Sequence, residues 1–166
     1  MRKTKLQLIG AMLLSCCLLA ATPISSHTLI TSYAAGSEVS YQLDITPTVT
    51  TNVDTYISSR IQDALNTNDV VTVSGNATLT DANSGNSIQV NIPQGKKVIW
   101  KATVHNTSYS HSAISLVSAA TSEFEIANGA LLTSERRPAL TSEPSSYVNV
   151  TITGGDIYIS SNSNDH

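Results

Sequence analysis

Val90-Asn91-Ile92-Pro93-Gln94-Gly95, Phe124-Glu125-Ile126-Ala127-Asn128-Gly129 and Val150-Thr151-Ile152-Thr153-Gly154-Gly155 are three copies of one short phrase. Each sets two large apolar residues two apart, then a glycine three residues on. The copies start 34 and then 26 residues apart. The shorter step recurs between Ile114-Ser115-Leu116 and Leu140-Thr141-Ser142. Self-similarity at a period of roughly 20 to 50 residues marks stacked architectures. Apolar residues at i and i+2 follow the period of a strand, not of a helix. Val, Ile, Thr and Tyr crowd the segment Val148 to Ile159, and these suit a pleated, half-buried surface. A glycine after each strand permits the positive φ of a sharp corner.

The phrase therefore predicts an all-β coil of parallel strands, each turn hydrogen-bonded to the next at about 4.8 Å. Val90, Phe124 and Val150 are expected in one inward column, and Ile92, Ile126 and Ile152 in a second. Asn91, Glu125 and Thr151 are expected as an outward ladder. An antiparallel sandwich of look-alike hairpins is the competing arrangement, because short alternating strands with turn signals fit it too.

Asp54 to Asn66 reads as a helix, with Asp54 as its N-cap. Ile57, Ile61 and Leu65 make a single apolar stripe. One amphipathic helix ahead of a set of strands is placed to cover the first open end of a coil. The domain is read as 54–160 with its capping helix at 54–66. Residues 36–53 are read as a linker or irregular lead-in, within which Tyr41, Leu43 and Ile45 alternate before Pro47. Residues 161–166 are read as a disordered tail. Lys97 to Val104 is the longest alternating run, with Val98, Trp100, Ala102 and Val104 on one side. Trp100 is core if it faces inward and a sugar platform if it faces out. His105 to Ser112 is expected to bulge as a polar loop, which would account for the step of 34.

The first 35 residues have a basic start at Met1-Arg2-Lys3-Thr4-Lys5, an apolar run from Leu6 to Ala21, and a small-x-Ala site in Ser32-Tyr33-Ala34-Ala35. That is the layout of a secretory signal peptide, cleaved after Ala34 or Ala35. The run is shorter than the roughly 18 residues expected of a spanning helix. Leu13-Leu14-Ser15-Cys16 loosely resembles a lipoprotein box, but Leu18 to Ala21 continue the apolar run past the cysteine. Both cysteines, Cys16 and Cys17, lie in this leader, so its removal leaves neither disulfide nor thiol chemistry. Removal also leaves six basic residues against the twelve acidic ones, a net charge of −6. A nucleic-acid or anionic-membrane partner needs a basic footprint, and this chain has none.

Val70-Val71-Thr72-Val73-Ser74-Gly75, Ile92-Pro93-Gln94-Gly95-Lys96-Lys97-Val98-Ile99-Trp100-Lys101-Ala102 and Val148-Asn149-Val150-Thr151-Ile152-Thr153-Gly154-Gly155 carry a resemblance. They resemble the rungs of secreted bacterial surface proteins with right-handed parallel β-helix repeats, the pectate-lyase-like architecture. The likeness covers about Asp69 to Ile159. It implies a short right-handed parallel β-helix of three to four rungs. Some such proteins are polysaccharide lyases or hydrolases, and others are adhesin-like; a shared fold does not carry function. This chain departs from the enzymes in length, since Asp69 to Ile159 gives only about three and a half turns. Its last strands lack an evident cap and leave an open edge.

Glu123 and Glu125 share one outward face of a strand, and paired carboxylates can work on sugars. Catalysis also needs a cleft and tuned pKa values, and outward charges on a β surface more often serve solubility. Arg136 and Arg137 could pair with a uronic-acid carboxylate or simply form a solvated turn. His105 and His111 lack a third ligand for zinc. Asp156 fits a turn better than a calcium site. No phosphate loop and no Ser-His-Asp set stands out. The sequence thus assigns no catalytic residue, metal or cofactor. It reads as a secreted, non-catalytic module of the cell envelope, adhesin-like or in contact with glycan. Trp100, Glu123, Glu125, Arg136 and Arg137 are its candidate contacts. A polysaccharide or a host or cell-wall surface is the expected partner, with self-association through the open edge beside it. A polysaccharide lyase or hydrolase, whole or truncated, is the alternative.

Overall fold

A computed structural model describes residues 39–159, so the expected leader and tail lie outside the described residues. The chain forms β1 (Ser40–Asp44), helix α1 (Val53–Thr67), β2 (Val70–Ser74), β3 (Asn76–Leu79), β4 (Ile88–Asn91) and β5 (Lys97–Trp100). It continues through β6 (Thr103–Asn106), β7 (Ile114–Val117), β8 (Ser122–Ile126), β9 (Leu131–Ser134), β10 (Leu140–Ser142), β11 (Val148–Ile152) and β12 (Asp156–Ile159). These strands make three sheets, ordered β1-β2-β5-β8-β11, β3-β6-β9-β12 and β4-β7-β10. Every pairing is parallel. From β2 onward the chain visits the three sheets in rotation and returns to each beside the strand it left there. The antiparallel sandwich is thereby excluded for the described residues.

Like residues stack from rung to rung. Val71, Val98, Phe124 and Val150 are register partners in one line, and Val73, Trp100, Ile126 and Ile152 in a second. Both expected columns are corrected here: Val90 pairs with Leu116 in another sheet and Val98 takes its place beside Phe124, while Trp100 takes the place of Ile92 beside Ile126. Ile99, not Asn91, stands next to Glu125 and Thr151 in the outward line. The physical reason is that apolar-x-apolar followed by a glycine corner describes any strand and corner of such a stack. The Val90 copy is a strand of the three-stranded sheet, whereas the other two copies belong to the five-stranded sheet. The step of 34 therefore spans two different sheets, and the step of 26 from Phe124 to Val150 is the repeat between neighbours.

Other expectations change as well. The lead-in at 36–53 contains β1, which pairs with β2 from Ser40↔Val70 to Asp44↔Ser74, with Leu43 buried. The alternating run Lys97 to Val104 is two strands, with Lys101 and Ala102 at the corner, yet Val98, Trp100, Ala102 and Val104 all point inward and are fully buried. His105 and Asn106 belong to β6 rather than to a loop. Asn106 is buried, and its side chain donates to the His111 carbonyl (2.7 Å) and the Ser134 hydroxyl (3.2 Å) and accepts from the Ser108 amide (3.1 Å). A buried amide with its partners supplied rigidifies rather than destabilises a core.

Helix α1 packs Val53, Ile57, Ile61, Ala64 and Leu65 onto the core. Its N-cap is Asn52, in a left-handed conformation at φ 53°, and not Asp54. The first helical amide, of Val53, instead donates to the Asn83 carbonyl of the β3–β4 turn at 2.9 Å. At the other end the ammonium of Lys96 donates to the Leu65 and Asn68 carbonyls. A cation there complements the negative end of the helix dipole. At Gly75 the backbone is left-handed (φ 100°) and an added Cβ would lie 3.0 Å from the Thr46 amide nitrogen, so the β2–β3 corner favours glycine.

Candidate functional site

The first strand of the three-stranded sheet, β4, has a free edge, and α1 lies along it. Ser58 joins the two: its hydroxyl donates to the Asp54 carbonyl (2.7 Å) and accepts from the Gln89 amide (2.9 Å). Two adjoining hollows open along this seam. One, of about 200 Å³, is lined by Asp54, Thr55, Ser58, Asn86, Ser87 and Gln89. The other, of about 280 Å³, shares Thr55, Ser58 and Gln89 and adds Ser59, Gln62 and Asn91. Every lining side chain is a hydroxyl, an amide or a carboxylate. Hydroxyl-rich ligands are held by such groups because each can both orient and discriminate a hydrogen bond.

Asp54 sits in the first turn of α1 and is 3% exposed. Its Oδ1 is shielded and has no hydrogen-bond partner among the described residues. The positive end of the helix dipole offsets part of the cost of burying this charge. The carboxylate gives the groove a negative wall. Sequence reading took Asp54 only as a cap and passed over Ser58 and Gln89. A signal was present: Ser58 is a polar residue four after Asp54, beside the apolar stripe, and Gln89 stands between Ile88 and Val90, so it faces away from the core.

The residues singled out from sequence do not converge. Trp100 is fully buried, tilted against Phe124 with ring centroids 5.9 Å apart, and its indole N–H donates to the Ala102 carbonyl at 3.1 Å. It is core, and as a glycan contact it is corrected. Glu123 and Glu125 do share the outer face of β8. Glu125 lies 2.7 Å from the Lys97 ammonium and accepts from the Thr153 hydroxyl at 2.6 Å, while Glu123 is 3.7 Å from Lys97. The Lys97 hydrogen bond, then that of Thr153, holds the Glu125 carboxyl below its ordinary pKa. The same bond to Glu125 raises the Lys97 ammonium. Arg136 and Arg137 lie on the β9–β10 turn. The Arg136 guanidinium stacks 4.0 Å over the Tyr109 ring, and Arg137 Nε donates to the Tyr109 carbonyl at 2.9 Å. No ion pair joins these arginines to Glu123 or Glu125 among the described residues.

His105 contacts the Thr133 hydroxyl through Nδ1 (2.6 Å) and lies 3.8 Å from Glu135 through Nε2. No cluster of three metal-ligating side chains occurs among the described residues, and none of their helices is long and apolar enough to cross a membrane.

The remaining surface feature is at the far end of the stack. Val150 (45%), Ile152 (61%) and Ile159 (59%) are exposed, whereas their partners one rung back, Phe124, Ile126 and Ser134, are buried. Comparison with family models, with curated proteins and with solved structures finds no match to this chain.

Proposed function

We propose that this chain is a secreted, non-catalytic module of the bacterial cell envelope, built as a short right-handed parallel β-helix of the pectate-lyase-like kind, that contacts glycan through the α1–β4 groove. The leader at 1–35 supports export, and the rotation of strands through three parallel sheets supports the coil. The observation that carries the contact is the groove itself, lined by hydroxyl-, amide- and carboxylate-bearing residues with Asp54 buried beside it. Hollows of this size fall below the roughly 300 to 1,000 Å³ of drug-sized sites. They fit one or two sugar units of a chain that runs on into solvent.

The non-catalytic reading rests on where Glu123 and Glu125 stand: both lie on the outer face of β8 beside Lys97, and neither lines the α1–β4 groove. The test is a glycan array probed with the purified protein and with Gln89→Ala and Asn86→Ala variants. Binding to at least one glycan, weakened about tenfold or more in the variants by loss of side-chain hydrogen bonds, is the expected result. Silence across envelope and host glycans defeats the reading, and release of reducing ends from a bound glycan defeats its non-catalytic part.

A further inference from the structure

Asp54 is the charged residue in the described lining of the α1–β4 groove, and no lysine or arginine stands beside it there. The cations that touch α1 are engaged elsewhere. Arg60 Nη1 donates to the Asp44 carbonyl at 2.7 Å, and Lys96 holds the carbonyls of Leu65 and Asn68 at the far end of the helix. The carboxylate of Asp54 is short of donors. Oδ1 has none among the described residues, and Oδ2 has the Thr55 hydroxyl at a long 3.5 Å. Ser58 cannot supply one, because its hydroxyl donates to the Asp54 carbonyl instead.

An ionised carboxylate is acceptor-only, with about four lone-pair sites. Leaving it buried without donors costs more than leaving a neutral group so. A cation that enters the groove removes that cost, through hydrogen bonds roughly twice as strong as neutral ones. A uronate or a sulfated sugar would set like charge against Asp54 with no cation in the lining to offset it. At 3% exposure Asp54 admits a small projecting group, which an ammonium is and an acetamide is not.

We propose that the groove selects an amino sugar with a free primary amine, over neutral, N-acetylated or acidic sugars. The ammonium sits on the Asp54 carboxylate, and the neighbouring ring hydroxyls meet Asn86 and Gln89. This inference rests on the glycan reading of the groove and narrows it. An ammonium has three donors and no acceptor, so it satisfies the carboxylate and keeps a donor for the Ser87 hydroxyl.

The experiment is titration calorimetry of the purified protein with two oligomers of equal length, β-1,4-linked glucosamine and its N-acetylated form, with a lysine oligomer beside them. At about pH 6, between the ordinary carboxylate and amine ranges, the free-amine oligomer is expected to bind at least about tenfold tighter than the acetylated one. Asp54→Asn removes that preference. Asp156→Asn, which deletes an exposed carboxylate of β12, keeps it. Gln89→Ala weakens both oligomers alike. At about pH 9 the amine is neutral and the preference vanishes in the unaltered protein, a readout that needs no variant. Equal affinity for the two oligomers would overturn the inference and leave the groove standing as a site for neutral glycan. A preference that survives Asp54→Asn, or that Asp156→Asn lowers as much, would assign it to overall charge and overturn it. A lysine oligomer bound as tightly as the amino sugar would overturn the sugar part. Silence toward both sugar oligomers would overturn the inference, and the glycan array then decides the groove by itself.

Discussion

The two ends of the stack are built from the same kind of strand and finished differently. At the first end each sheet has its own cover. β1 pairs onto β2, Ser58 of α1 accepts from β4, and Thr46 Oγ1 accepts from the Asn76 amide of β3 at 3.2 Å. Asn83 Nδ2 adds a bond to the Thr78 carbonyl of β3 at 3.0 Å. The apolar face of α1 then closes the columns, leaving Ile57, Ile61 and Leu65 without exposure. At the last end β10, β11 and β12 have no strand beyond them among the described residues, and inward side chains meet water. A parallel stack propagates its pairing without limit, so the sequence must spend separate residues to stop it. The described residues do so at the first end.

The comparison predicts a gradient of mutational effects. Ile57→Ala opens a cavity under α1 and is expected to destabilise by about 2 to 5 kcal/mol, read as a lowered urea midpoint. Ile152→Ala, at an exposed position, should stay within about 0.5 kcal/mol of wild type. Equal losses at both ends would show that the far end is covered in the single chain.

Asp54→Asn separates function from stability at the covered end. Asn keeps the size of the side chain and a polar atom at the same unpartnered position, so stability is expected to stay within about 1 kcal/mol of wild type. Glycan affinity should fall in the same variant. A larger loss of stability would mean that Asp54 holds the helix rather than the groove.

The smallest effect is expected on the flank, where Lys97 ties the outer faces of two rungs. Glu125 has a depressed pKa in the folded state, so its contribution is full above the ordinary glutamate value. It is lost as pH falls through the folded one. Lys97 has a raised pKa, so its share is full below the ordinary lysine value and fades as pH rises through the folded one. Glu125→Gln should therefore cost under about 1 kcal/mol at neutral pH, since the pair is partly exposed. It should also flatten the acid limb of the stability profile. An unchanged acid limb would assign that limb to other carboxylates.

The sequence carried much of the architecture because period and local alternation are one-dimensional signals. The step of 26 residues between Phe124 and Val150, and between Ile114 and Leu140, is the true register of neighbouring strands. The helix, its buried stripe and the inward face of Lys97 to Val104 were legible for the same reason. Sheet membership was not. Val90 and Val150 carry the same phrase, but only pairing partners tell one sheet from another, and those depend on how many corners the chain has turned. Trp100 shows the same limit: alternation put it on a face, and only the packed stack made that face the interior.

The candidate groove lay further from reach. Asp54, Ser58 and Gln89 belong to a helix and to a strand about 30 residues on, and none forms a motif. They meet because the apolar stripe of α1 must cover the columns, which lays its polar flank along the free edge of β4. Strand, turn and helix identity follow from short-range sterics and the period of apolar residues, which the sequence states directly. Which polar residues share a surface follows from burial of the apolar ones, and that is decided only when the chain closes on itself.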